Sequence, residues 1–194
     1  MYLYVYIFVL MSIIGYYTQL FVLRAVEMES KQTTLADVMA VWHDEAYRIA
    51  KENKATLFGG APSCALGKAS GALADPTADC ASVVSLPAGM TSDMTFNTIA
   101  YTADSINYVV TYVMDDANGF TKVGYSSAEV ESQIRRLKIP VAYVGKTMNM
   151  DCNGTVGDYF MTTAKVGSDI VCFPIGSGGV TFLPLGAVGM ISVM

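Results

Sequence analysis

The sequence has few charged residues and almost none of the side chains on which most catalytic sites depend. Only 15% of its 194 residues are charged, whereas an average soluble domain carries about 25%. One histidine, His43, is present, and no G-x-S-x-G serine motif accompanies it. None of the four cysteines forms a C-x-x-C pair. These absences argue against an enzyme, a bound cofactor or a metal site, and they favour a packing or surface role for His43.

Basic residues are too few and too scattered for a nucleic-acid-binding surface. The formal net charge is −5, and no cluster of lysine and arginine is available to neutralise phosphates. Asp115–Gly119 lacks the residue spacing of a calcium loop, and Gly176–Gly179 lacks the Lys-Ser/Thr pair of a phosphate loop. Both segments are therefore predicted to be turns.

The N-terminal segment contains no charged side chain before Arg24. A helix needs roughly 20 mainly apolar residues to cross a bilayer core, and Met1–Val26 supplies such a run. A cleavable secretory signal would begin with basic residues and would have a shorter apolar stretch. Residues 1–28 are predicted to form a transmembrane or filament-core helix. The segment lacks the basic residues that usually flank a membrane helix on its cytoplasmic side. Two explanations stay open: a short basic leader has been removed before Met1, or Met1 is an ordinary start methionine.

Residues 29–194 are predicted to form one globular α+β head. The helical pattern continues to about Asn53, with a break expected near Ser30–Thr34 and a bend allowed at Gly15 and Thr18. Apolar residues in its second half recur at helical spacing, which predicts an amphipathic helix packed on the head. The members of this stripe are Leu35, Val38, Met39, Trp42, Ala46, Ile49 and Ala50.

The remainder of the head predicts short antiparallel strands, one helix and one loop. Ser126 and Glu129 form a capping-box pattern, which predicts a helix through about Leu137. The Ala-, Gly- and Ser-rich segment Ser63–Asp79 is predicted to be a surface loop. Strand-like runs are Ser82–Leu86, Thr95–Tyr101, Tyr108–Met114, Phe120–Val123, Val141–Val144, Tyr159–Ala164, Ile170–Phe173, Val180–Leu183 and Val188–Val193.

The four cysteines are Cys64, Cys80, Cys152 and Cys172. Four cysteines allow three pairings. The local pairs Cys64–Cys80 and Cys152–Cys172 are favoured, because each closes a loop of roughly 15–20 residues and would contribute about 3 kcal/mol in the chain-entropy model. Free buried thiols are the alternative. Two disulfides would place the head in an oxidising compartment.

A long N-terminal helix, first apolar and then amphipathic, followed by one disulfide-bearing α+β head, resembles a type IV pilin. The initial methionine is similar to that of the class b branch. The resemblance implies a fold in which the helix packs on an antiparallel sheet with two disulfides. It departs from the family at Val5, where pilins usually carry a glutamate. A weaker resemblance links Val109–Val113, Gly124–Arg136 and the apolar C-terminus to PilM-type accessory proteins of thin pili.

The pilin resemblance implies a structural subunit of an extracellular filament, held in the inner membrane before assembly. Its partners would be copies of itself, and it would need no cofactor. The alternative is a membrane-anchored accessory or minor pilin-like protein of a pilus or secretion machine. The residues expected to form the assembly helix are Met1, Val5, Val9, Ile13, Gly15 and Leu20.

Overall fold

A computed structural model describes residues 2–58, 63–71, 73–74, 84, 92–114, 125–137, 142–149, 157, 159–166, 169–177, 180–181 and 183–194. Helix α1 comprises Tyr2–Glu52 and is followed by the short helix α2, Lys54–Leu57. No proline occurs before Pro62, so every backbone N–H of α1 is available to the helix. The chain divides into two compact units, Met1–Thr34 and Leu35–Met194.

The second unit contains an eight-stranded antiparallel sheet. Its strands are β1 Ser63–Gly71, β2 Leu73–Ala74, β3 Ser92–Ala103, β4 Ile106–Val113, β5 Tyr143–Met148, β6 Tyr159–Val166, β7 Asp169–Pro174 and β10 Val188–Val193. They are arranged in the order β2-β1-β3-β4-β10-β5-β6-β7. Strands β8 Gly176–Ser177 and β9 Val180–Thr181 form a separate pair.

A tight turn at Asp104 and Ser105 connects β3 to β4. Both residues have positive φ angles, 50° and 63°, as a two-residue hairpin turn of type I′ requires. Across the turn, the Thr102 hydroxyl donates to Asn107 Oδ1 at 2.8 Å. Asp and Ser tolerate this turn because their short polar side chains lessen the cost of left-handed backbone.

Each face of the sheet covers its own hydrophobic core. Along β4, Val109 and Val113 belong to a core shared with α1 and helix α3, Ser127–Arg136, while Tyr108 and Val110 belong to a second core. Side chains alternate between faces along a strand. Since both faces are covered, β4 and β10 are buried along most of their lengths, as a continuous apolar run predicts.

The sheet curls around the second core. The Tyr101 hydroxyl of β3 donates to the Pro174 carbonyl of β7 at 3.0 Å, although these strands are not neighbours in the sheet. Gly145 and Gly189 are directly paired where β5 meets β10. A Cβ atom on Gly145 would overlap the Met161 carbonyl, and one on Gly189 would overlap that of Thr111. Because neither glycine has a side chain, the backbones of β5 and β10 can lie close to those of β6 and β4 where the sheet curls.

The predicted capping-box helix is confirmed as α3. The Glu129 backbone N–H donates to Ser126 Oγ at 3.3 Å, and the Ser126 backbone N–H donates to Glu129 Oε2 at 2.7 Å. The Ser126 backbone N–H and the Ser126 hydroxyl both donate to Glu129 Oε2 and lower the pKa of the Glu129 carboxyl. Val130 and Ile134 point into the first core, so one face of α3 is fixed on the sheet.

The predicted fold class, with an apolar membrane anchor and two disulfides, is wrong in that form. Within the described residues, no helix is both long and apolar enough to cross a membrane. The predicted anchor, residues 1–28, includes side chains that lie outside the described residues, among them those of residues 1–5 and 23–28. Cys172 is the cysteine whose side chain the structure describes, and it is disulfide-bonded. Its partner lies outside the described side chains, so the two predicted bridges stay a prediction.

Several local predictions also change. The expected break at Ser30–Thr34 is absent from the backbone of α1, which is helical through this segment. The expected loop at Ser63–Asp79 instead begins with β1, which pairs with β3 from Ser63 to Gly71. Pairing with an adjacent strand overrides the low intrinsic strand preference of Ala and Gly. The predicted strand Phe120–Val123 lies outside the described residues.

Candidate functional site

The first unit exposes large apolar side chains along most of its described helix. Between Tyr6 and Val22, eleven of them are between 38% and 67% exposed. We call this set the N-terminal apolar surface. It consists of Tyr6, Ile7, Val9, Leu10, Met11, Ile13, Ile14, Tyr16, Tyr17, Leu20 and Val22.

The N-terminal apolar surface extends over much of the helix circumference. Successive residues of an α-helix are rotated by about 100°, so the eleven positions span roughly two thirds of a turn around the axis. A helix that packs on a single core has a narrower apolar stripe, whereas one that is apolar nearly all round is surrounded by apolar neighbours. The described surface is therefore wider than the stripe of a helix that packs on a single core.

The predicted assembly residues that the structure describes belong to this part of α1. Val9, Ile13 and Leu20 are 49%, 50% and 38% exposed, and no atom lies within 4 Å of a Cβ placed on Gly15. Met1 and the side chain of Val5 lie outside the described residues. Sequence analysis did not select Leu10 or Ile14, although their membership of the same uncharged run was a usable signal.

Thr18 lies between members of the N-terminal apolar surface, and its hydroxyl has partners within the helix. The Thr18 hydroxyl lies 2.8 Å from the Gly15 carbonyl oxygen and 3.1 Å from that of Ile14. Its hydrogen-bonding need is therefore met without a partner molecule. A shallow, open concavity beside it is lined by Ile14, Tyr17, Thr18 and Val22. The apolar atoms of these residues could receive an apolar side chain.

His43 lies at the interface between α1 and the sheet, where it is fully buried. Its Nδ1 is 3.0 Å from Thr111 Oγ1 on β4, and its Nε2 is 2.8 Å from Ser192 Oγ on β10. Burial lowers the His43 pKa to about 4, because a charged imidazolium would lose its hydration. The ring is therefore neutral at pH 7. Of the packing or surface role predicted for His43, the structure shows packing, with two hydrogen bonds that the sequence did not indicate.

The hydrogen bonds of His43 continue to the neighbouring tryptophan. Trp42 Nε1–H donates to Thr98 Oγ1 at 2.6 Å, and the Thr98 and Thr111 hydroxyls are 2.9 Å apart. All five side chains of this chain, Trp42, Thr98, Thr111, His43 and Ser192, have 0% exposure. We call it the His43 chain. The His43 ring is therefore enclosed by the core and has no contact with solvent.

The cysteines give a partial test of the predicted disulfides. Cys172 lies on β7 and is disulfide-bonded. The side chain of Cys64 on β1, together with Cys80 and Cys152, lies outside the described residues. The proposed pairing of Cys152 with Cys172 stays a prediction. A disulfide at Cys172 is typical of proteins that fold in an oxidising compartment.

Metal-binding groups are not assembled in the part of the chain that the structure describes. No three His, Cys, Asp or Glu side chains among those residues lie close enough to hold a metal ion. The exposed ion pairs of Arg48 with Glu45 and Glu52 are confined to the surface of α1. Comparison of the chain with protein-family models, with curated proteins and with solved structures found no match.

Proposed function

We propose that this protein is a structural subunit of a type IV pilus-like extracellular filament and assembles through its N-terminal helix. The observation that carries the proposal is the N-terminal apolar surface. Monomeric soluble proteins rarely expose large continuous apolar patches, and such patches mark interaction surfaces. The partner is a further set of copies of the same chain.

The size of the N-terminal apolar surface supports a stable assembly. Fully burying a large apolar side chain contributes about 1.5–3 kcal/mol, and these eleven are about half exposed. Completing their burial would contribute on the order of 10 kcal/mol per subunit. Association costs an estimated 4–15 kcal/mol or more. One neighbour is therefore marginal, and a polymer in which each helix contacts several others is favoured.

The absence of charge before Arg24 supports self-assembly over binding to a charged partner. An uncharged apolar helix offers no complementary group to an acidic or basic surface, whereas another copy of the same helix is equally apolar. The disulfide at Cys172 is consistent with a head that is displayed outside the cell. The second unit has its own two cores and would form the outer part of the filament.

A charge placed within the N-terminal apolar surface tests the proposal. Ile13→Lys or Val9→Lys should abolish filaments, because burying an unpaired ammonium costs several kcal/mol in every subunit. The matched control is Asp44→Lys, which changes an exposed position on the same helix outside this surface. Filaments would be measured by negative-stain imaging and sedimentation of material sheared from cells, with mass spectrometry to identify the subunit.

Two results would count against the filament proposal. Ile13→Lys could produce as many filaments as the wild type, or the native chain could remain monomeric when extracted at native abundance. The second result would favour the accessory-protein alternative. Circular dichroism of each variant would establish that the sheet is intact, so that a loss of filaments is not confused with a loss of folding.

A further inference from the structure

We propose that β10 is a closing strand, which enters the second unit last and joins two parts of the sheet that form without it. β10 lies between β4 and β5, although every other strand of the sheet precedes it in the chain. Until β10 enters, the facing edges of β4 and β5 form a cleft that fits one strand, and this cleft accepts β10 of a second copy as well as its own. All three strands belong to the second unit, so the closing strand is independent of the proposed filament function.

Without β10, strand pairing divides the sheet into two sets. One set is β2-β1-β3-β4 and the other is β5-β6-β7. Among the described residues, the strand pairs that join the sets all include β10, which pairs with β4 over Val188–Val193 and with β5 over Val188–Ile191. A continuous sheet therefore requires β10.

Each set is built from strands that are close together in the chain. The two-residue turn at Asp104 and Ser105 connects β3 to β4, and a similarly short connection joins β6 to β7. By contrast, Val113 of β4 pairs with Val188 of β10. Pairing between distant residues forms slowly, because loop closure must be completed before the new contacts compensate for it. We therefore expect both sets to form before β10 joins them.

β10 also completes both hydrophobic cores. Val188 and Met190 belong to the first core, and Ile191 belongs to the second. Five of the six residues of β10 are buried, and the strand carries no charged side chain. Before it enters, the backbone groups of β4 and β5 that pair with it have no strand partner. Unpaired strand edges are templates for a strand of another chain, so the cleft recognises an extended apolar segment.

Gly189 makes the cleft selective for the sequence of β10. It pairs with Gly145 on one side, and on the other side a Cβ at this position would overlap the Thr111 carbonyl oxygen. A strand with a side chain there enters the cleft only if the backbone of β4 moves away. The native β10 segment therefore fits, whereas the same segment with a larger residue at position 189 does not.

A full chain whose own β10 is excluded tests the cleft. Gly189→Val would be refolded from urea in mild detergent, under non-reducing conditions, with an excess of a peptide of residues 186–194 that carries added lysines for solubility. The peptide should restore the wild-type emission maximum of Trp42, which is buried in the first core, and should copurify with the chain in equal amounts. No restoration would overturn the proposal.

Two controls show whether the peptide occupies the cleft. The same peptide with Gly189→Val should restore nothing, because its valine meets the backbone of β4. Folded wild-type protein should bind neither peptide, because its own β10 fills the cleft. Equal restoration by the two peptides, or uptake of the native peptide by folded wild type, would overturn the proposal.

Refolding kinetics of the full chain test the order of events independently of the peptide. Ile191→Val in β10 should raise the unfolding rate and leave the refolding rate within about twofold of wild type, because contacts made after the transition state do not affect folding rates. Val109→Ala, which pairs with β3, and Phe160→Leu, which pairs with β5, should both slow refolding. If Ile191→Val slows refolding as much as these two, relative to the stability that each loses, β10 does not enter last and the proposal fails.

Discussion

His43 makes the stability of the second unit sensitive to mild acid. Its pKa is about 4 in the folded protein and about 6.5 in an unfolded chain. Above pH 6.5 the ring is neutral in both states, and its full contribution to stability is present. Below pH 6.5 the unfolded chain binds the proton more strongly, so stability falls as the pH decreases towards 4.

We therefore expect the free energy of unfolding to decrease by about 2 kcal/mol between pH 7.5 and pH 5 because of His43. Urea unfolding followed by fluorescence of Trp42, which is the single tryptophan, would measure it. His43→Gln carries no titrating ring and should lose much less over the same range. Equal losses in both proteins would contradict the prediction. The lone histidine also gives an unambiguous NMR titration.

Gly189 and Gly145 are expected to be the least replaceable glycines that the structure describes within the sheet. A Cβ on either residue would overlap a backbone carbonyl of the neighbouring strand, and backbone cannot move aside as a flexible side chain can. Gly189→Ala and Gly145→Ala should each destabilise the second unit by about 3 kcal/mol or more, measured by urea unfolding.

Gly15→Ala is the control for these glycine substitutions. It meets no atom within 4 Å and lies within α1, where alanine is the better helix former by about 1 kcal/mol. The unfolding of the sheet should not change in this variant. A wild-type midpoint for Gly189→Ala would contradict the role assigned to the glycine pair.

At the scale of elements, α3 depends on its N-terminal cap. The helix has ten residues, and isolated helices of this length are marginal. Its stability therefore comes from the cap and from Val130 and Ile134, which are buried in the first core. The exposed Arg135–Glu131 pair adds little, because such pairs are screened by solvent.

Ser126→Ala should lower the free energy of unfolding by about 1 kcal/mol, because the Glu129 N–H loses its side-chain acceptor. Ser126→Thr keeps a hydroxyl and should restore most of the loss. Ser127→Ala, one residue further along, changes no cap and serves as the control. If Ser126→Ala and Ser127→Ala have the same unfolding midpoint in urea, the cap contributes no measurable stability.

At the scale of the whole molecule, the proposed function separates folding from assembly. Among the side chains that the structure describes, those of the two hydrophobic cores begin at Ala36, and the N-terminal apolar surface ends at Val22. The second unit therefore has the contacts that a compact domain needs. On the proposed function, the exposed apolar side chains of the first unit are covered by neighbouring subunits in the filament.

A chain consisting of residues 35–194 should accordingly fold and remain monomeric, while the full chain associates. Analytical ultracentrifugation would compare the two, and the emission maximum of Trp42 should be the same because its buried environment lies within the second unit. Filaments formed by the shortened chain would contradict the proposed function. A shortened chain that fails to fold would contradict the independence of the second unit.

The sequence by itself determined the features that depend on neighbouring residues. The helical spacing of the apolar residues between Val38 and Ala50 identified the buried face of α1, and the Ser126–Glu129 pattern located α3. The bounds Val188–Val193 of the last strand were predicted as the structure has them. These signals are local, because helix periodicity, capping and apolar runs are each set within a few residues.

Only the tertiary structure decided the features that depend on distant partners. Ser63–Gly71 has the composition of a loop and becomes a strand because β3 pairs with it. His43 has no polar neighbour in the sequence that indicates its partners, yet Thr111 and Ser192 lie 68 and 149 residues away along the chain. The residues around Gly145 and Gly189 likewise give no sign in the sequence that the sheet curls there. Strand pairing and buried hydrogen bonds join residues that are far apart in sequence, and periodicity within a short window carries no information about which of them will meet.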